Sequence, residues 1–264
     1  MSCALSTEHT VVLTFDNLGE ASELERGTWP ADRPLGHHPS VTVALPRLLD
    51  ELRELGLRAT FFVEAINCEL NPEAVHSIAA HGHEIGIHGW RHEAWDDIAP
   101  ARERELLGRS RTAYERIAVD AHAFRPPGGT IHAGTPKLLR EIGCRWASPY
   151  GTTPHIDDDG FGWVPFDWSF VDAYHLMQRF ASLRERRGDP ADPLSASTAA
   201  GRLHAELERG TGPRTLILHP FLLADEAWWS EARSLLHWLA DRRDAGEILI
   251  ATGEELTDQL AGRQ

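Results

Sequence analysis

Short apolar runs that stop abruptly at a polar residue recur along this chain, separated by stretches with apolar positions at helical spacing. Val11-Val-Leu-Thr-Phe runs into Asp16-Asn17, Ala59–Val63 into Glu64, Glu84-Ile-Gly-Ile into His88, and Thr215-Leu-Ile-Leu into His219-Pro220. Such runs, rich in β-branched and aromatic residues, predict short buried strands. Between them, Val41 to Leu55 has helical periodicity and ends at Gly56, a C-capping residue. Pro72 to about Ala80 (closed by Gly82), Ala101 to Ile117, Thr135 to Ile142 (ended by Gly143) and Trp228 to Arg243 read as further helices. Arg145–Ala147, Val164–Phe166 near a sheet edge and Ile248–Ala251 complete the predicted strands. Residues 18–40 and 182–200 show no clear period and read as irregular. Repeated βα units imply an α/β fold with a parallel sheet and right-handed crossovers. In such folds the chemistry collects at the C-terminal ends of the strands, where these polar residues stand.

The most informative stretch is His88-Gly-Trp-Arg-His92. Two imidazoles four residues apart fall on one face of a helical turn, close enough to share a metal ion. An Asp at the end of the first strand can serve as a general base or a ligand, although an Asp-Asn turn that merely ends the strand is the competing reading. Phe124-Arg125-Pro126-Pro127-Gly128-Gly129 sets an unusual backbone path beside an arginine that can pin a carboxylate. A Pro-Gly turn explains that path but gives the arginine no task. His219, taken singly, reads as a hydrogen-bonded structural histidine. Four strand ends carrying Asp, a His pair, Arg and His together are harder to attribute to chance.

In this order, T-F-D-N, H-G-W-R-H, R-P-P-G-G and L-I-L-H-P, the chain resembles the polysaccharide deacetylase family, the NodB-homology or carbohydrate esterase family 4 domain. The likeness covers about residues 10–255. It implies one catalytic domain spanning 1–264, built as a distorted, incomplete (β/α)7 barrel. It also implies a metal-dependent amide hydrolase with Asp16 as general base and His219 as general acid. His88, His92 and Asn17 would hold a divalent metal, zinc foremost. Asn17 stands where the family normally has Asp, and Gly89 where it usually has Ser or Thr. Arg125 would orient the base, partnered by an aspartate in Trp163–Ala173; Asp172 is preferred to Asp167. Trp90, Pro127, Gly128, Trp168, Leu216, Ile217 and His37 are the residues expected to meet substrate, with a backbone N–H near Gly128 on the oxyanion.

Composition narrows the substrate. A net charge of −14 over 264 residues disfavours nucleic acid and anionic membranes as partners. No run is long and apolar enough to span a bilayer, and the first residues lack the pattern of a secretory signal. Cys3, Cys68 and Cys144 are odd in number and scattered, as suits reduced thiols in a cytoplasm. The expected substrate is therefore a small or short-oligosaccharide N-acyl compound, with residues 18–40 (Arg26, Trp29, Arg33, His37 and His38 among them) able to cover the barrel mouth. A cyclic-amide hydrolase resembling allantoinase and a non-catalytic sugar-binding module are the alternatives, and a homo-oligomer is compatible with all three.

Overall fold

A computed structural model of the chain describes residues 9–210 and 212–262. Its central strand is β1, Thr10–Asp16, buried at every position. The remaining strands are β2 (Thr60–Val63), β3 (Glu84–Ile87), β4 (Ala123–Phe124), β5 (Trp146–Ala147), β6 (His155–Ile156), β7 (Gly162–Trp163), β8 (Arg214–Leu218) and β9 (Leu249–Ala251). Along the sheet the order is β6-β7-β5-β4-β3-β2-β1-β8, with β9 pairing β1. All pairings are parallel except β6 with β7. One flank of β1 is shared, β9 meeting Thr10–Val12 and β2 meeting Thr14–Asp16, while β8 runs along the other. The sheet curls into an open half-barrel, an α/β fold of the expected class.

Strand alternation sorts β1 into two faces. Val11, Leu13 and Phe15 join the large core beneath the helices. Val12 faces inward with Phe62, Ala123, Trp146, Val164 and Leu256. Thr14 and Asp16 share that inner face by parity, which carries the aspartate above the inner core at the C-terminal rim. The helix Gly253–Leu260, opened by a Thr252/Glu255 capping box, meets this inner core through Leu256.

All five predicted helices are present, with small shifts at their ends: Leu45–Leu55 with Gly56 left-handed at its C-cap, Pro72–Ala80, Pro100–Arg116, Thr135–Glu141 and Glu226–Asp244. Three expectations need correction. Residues 18–40 contain a short helix, Ala21–Arg26, and 182–200 run through two helices, Ala181–Arg187 and Ala196–Arg209. Ala199, Leu203 and Leu207 form the buried stripe of the latter, a signal diluted by the polar residues before it. The strand placed at Val164–Phe166 is instead Gly162–Trp163, with Phe166 making only an isolated bridge to Tyr150. Among the described residues no helix is long and apolar enough to cross a membrane. Cys68 and Cys144 are buried and free, and Cys3 lies outside the described residues.

Gly86 in β3 couples this sheet to the cavity above it. A Cβ there would lie 2.6 Å from the Phe62 ring and 3.1 Å from the Ala123 Cβ. Phe62 is fully buried and lies 4.1 Å beneath the Arg125 guanidinium. Gly86→Ala, normally favoured in a strand, should instead destabilise the protein by about 1–3 kcal/mol through overpacking. Urea denaturation reads this directly, and an unchanged midpoint would show that the strands can part without cost.

Candidate active site

Four strand ends, those of β1, β3, β4 and β8, converge on one cavity of about 500 Å³, whose lining includes Asp16, Asn17, His88, His92, Arg125 and His219. At its floor Asp16 receives Arg125 Nη1 at 2.5 Å. Arg125 is almost completely buried, and its other donors are also occupied: Nη1 reaches Thr14 Oγ1 at 2.9 Å, while Nε and Nη2 reach Ser148 Oγ at 3.2 and 2.8 Å. Burial lowers the arginine's pKa from its ordinary value, and the charge and hydrogen bond of Asp16 oppose that shift.

The histidine pair is not helical. Residues 88–92 form a turn, with Gly89 at φ 73° and His92 at φ 70°. The spacing still brings the rings together, 5.0 Å between centroids and nearly perpendicular. A non-glycine residue in the left-handed region is held there against a cost of about 1 kcal/mol, which the surrounding contacts must supply. The glycine at 89 has a local cause: a Cβ would meet Glu93 Oε2 at 2.8 Å. That carboxylate accepts the backbone N–H of Trp90 and of Arg91, each at 3.0 Å, and so orders the loop in place of a side-chain hydroxyl. His88 Nδ1 lies 2.8 Å from the Arg125 carbonyl. A carbonyl only accepts, so Nδ1 carries the proton and Nε2 keeps its lone pair. Burial pushes His88 down to about 4 and His92 well below its ordinary value, so both rings are neutral near pH 7.

Asn17 also adopts the left-handed region, at φ 66°. Its Nδ2 donates to Glu64 Oε1 at 2.8 Å, and its Oδ1 is buried without a partner. Glu64, at the end of β2, is fully buried, and desolvation raises its carboxyl to about 8. Glu64, His88 and His92 place ligand atoms within 4.8 Å of one another. In the sequence Glu64 was recognisable only as a polar residue after a strand, with no spacing to tie it to the histidines.

Asp172 does not pair with Arg125. Val171 bridges Ile217 of β8, which sets the next residue beside His219. Asp172 Oδ1 lies 2.5 Å from His219 Nδ1, while Oδ2 accepts the His219 backbone N–H at 2.9 Å and Trp228 Nε1 at 3.2 Å. The alternative, Asp167, caps the turn at Ser169 and pairs with Arg187 at 2.6 Å. Arg125 takes Asp16 instead because β1 and β4 present both on the inner face.

Among the expected substrate contacts, Pro127, Gly128, Trp168 and Ile217 line the cavity. Trp90, Leu216 and His37 do not. Trp90 is turned into the main core under the Arg109 guanidinium, 3.6 Å from its ring centre. Leu216 faces the helices because alternation puts only Ile217 of that strand segment inward. His37 is exposed. Trp29 donates to the Arg33 carbonyl, and the His38 ring is bound to Ser40, so neither reaches the lining. Residues 18–40 contribute Glu25 and Arg26 instead, and Arg179 and Phe180 enter from a turn with no strand-end signal.

A family profile described as polysaccharide deacetylase matches residues 5–147. A peptidoglycan-N-acetylglucosamine deacetylase of Bacillus cereus is 31% identical over 108 residues, 41% of this chain and 49% of that one. Chitin deacetylase 1 of Cryptococcus neoformans is 27% identical over 122 residues, 45% of this chain and 26% of that one. Each match thus spans less than half of the curated relative's length. A Mycobacterium smegmatis crystal structure, provisionally described as a polysaccharide deacetylase, superposes with a TM-score of 0.80 at 25% identity, covering 98% of this chain and 92% of that one. The profile match takes in the aspartate, histidine and arginine strand ends in one continuous span, and the chain belongs to the polysaccharide deacetylase family.

Proposed function

We propose that this chain is a single-domain, metal-dependent hydrolase of a non-peptide C–N bond, removing the acetyl group from an N-acetyl sugar or another small N-acyl compound. One observation carries the reading: a carboxylate fixed by an arginine and an imidazole fixed by a carboxylate share a cavity with two neutral histidines. The donor set fits a divalent cation, zinc foremost. His88 offers a free Nε2 whose tautomer is set by a carbonyl, and Asn17 Oδ1 is a buried oxygen lacking a donor. A cation held there would acidify a water and polarise an acyl carbonyl.

The chain's own residues do the rest. Asp16, held in place by Arg125, accepts a proton from the attacking water as its oxygen bonds to the carbonyl carbon. His219 is bound to Asp172 through Nδ1, which leaves Nε2 to protonate the departing nitrogen as the C–N bond breaks. Water is consumed, and a carboxylic acid and an amine separate. Trp168, Phe180, Val171 and Ile217 give the cavity apolar walls, suited to an acyl methyl or the flat face of a sugar ring. The buried free thiols of Cys68 and Cys144 support a cytoplasmic enzyme acting on a small or short-oligosaccharide substrate.

Acetate or amine release from a panel of N-acetylglucosamine oligomers and small N-acyl compounds tests the reading. Asp16→Asn should lower kcat by about 10²–10⁴-fold while zinc content is kept, because the residue is the base and not a ligand. Near-normal turnover in that variant would overturn the assignment. Asp172→Asn should also lower kcat, by about 10²-fold or more, with KM little changed, since it frees the His219 ring without touching the binding walls. Equal losses of zinc in both variants would place the two carboxylates in metal retention instead.

A further inference from the structure

Glu64 is a fully buried carboxylate with no cation beside it. Its Oε1 accepts Asn17 Nδ2 at 2.8 Å and its Oε2 accepts the Leu18 backbone N–H at 3.1 Å, and both donors are neutral. Among the described residues no arginine, lysine or histidine forms an ion pair with it, since Arg125 is committed to Asp16. A carboxyl buried among neutral donors carries its charge only when a cation is placed beside it, and a coordinated metal is one such cation. Among the described residues, the cation-binding arrangement within reach is the histidine pair, whose ligand atoms and those of Glu64 all lie within 4.8 Å of one another. Ligand bonds of about 2.0–2.2 Å bring three such atoms around one ion with small side-chain rotations.

Asn17 cannot supply the missing negative charge. Its amide is oriented by the donation of Nδ2 to Glu64, which leaves Oδ1 as a neutral oxygen. An aspartate at 17 in this rotamer would set two carboxylates against each other at hydrogen-bonding distance. We propose, building on the metal-dependent reading, that Glu64 is the anionic ligand of the His88–His92 metal site. Asn17 then holds the Glu64 carboxylate by one amide hydrogen bond through Nδ2, and its Oδ1 adds a neutral oxygen to the donor set without adding charge. The ligand set becomes two neutral imidazoles and one carboxylate, which gives a charged partner to a fully buried acid whose hydrogen-bond donors are both neutral.

Zinc affinity of the full chain, measured by competition with a chromogenic chelator, separates the possibilities. Glu64→Gln keeps the shape and the hydrogen-bond acceptor but removes the charge. It should weaken zinc by about 100-fold or more, beyond the loss typical of residues outside the ligand shell. An affinity within threefold of wild type, with zinc lost in the His88→Ala, His92→Ala double variant, would overturn the Glu64 assignment and leave the metal reading standing. Zinc retained in both would overturn the metal reading as well. If Glu64→Gln does not fold, anomalous diffraction from zinc-loaded wild-type crystals decides. A peak within about 2.0–2.4 Å of a Glu64 carboxylate oxygen supports the assignment, and a peak on the histidines with Glu64 out of bonding range refutes it.

Discussion

The buried ion pair between Arg125 and Asp16 is the constraint on which the rest of the site depends. It ties the end of β4 to the end of β1, across two intervening strands, at 2.5 Å. Removing both charges from water is costly, and the pair persists because every guanidinium nitrogen finds an acceptor. The guanidinium also sits against the Phe62 ring at 4.1 Å and the Phe166 ring at 5.5 Å, so the inner core fixes its plane. The same residue's carbonyl sets the tautomer of His88. One arginine thus orients the carboxylate proposed as base and aims the nitrogen proposed as metal ligand.

Asp16, Asp172 and Glu64 are buried acids at this rim, and their partners differ. Asp16 has a guanidinium, Asp172 has an imidazole and an indole N–H, and Glu64 has two neutral amide donors. The first two are hydrogen-bonded to side chains that carry or acquire positive charge, which keeps their geometry defined through a proton transfer. Glu64 has no such support. Its raised pKa expresses a carboxylate whose burial is not compensated by any side-chain cation.

The strand ends carrying Asp16, His88 and His219 were legible in the sequence because each follows a short run of strand-forming residues, and Arg125 was marked by the Pro-Pro-Gly-Gly path after it. Parallel sheets then leave those ends on one rim. What could not be read was side-chain pairing that depends on register between distant segments. The aspartate expected on Arg125 belongs to His219 because a single bridge, Val171 to Ile217, carries it there. Leu216 and Ile217 are equally apolar in the sequence, and only strand parity in three dimensions sends one to the core and the other to the cavity. Trp90 lies between the two histidines in sequence, yet the left-handed turn points it away from them. Helix Ala196–Arg209 was missed because its apolar stripe, Ala199, Leu203 and Leu207, begins beside a Ser-, Asp- and Pro-rich stretch.

The most direct measurement follows acetate release from N-acetylglucosamine oligomers by chelator-stripped wild-type protein as zinc is added back. The account predicts no turnover in protein shown by elemental analysis to be metal-free. Activity should then rise and saturate at about one zinc per chain, the ratio for a single mononuclear site. Full turnover in the metal-free protein would contradict it.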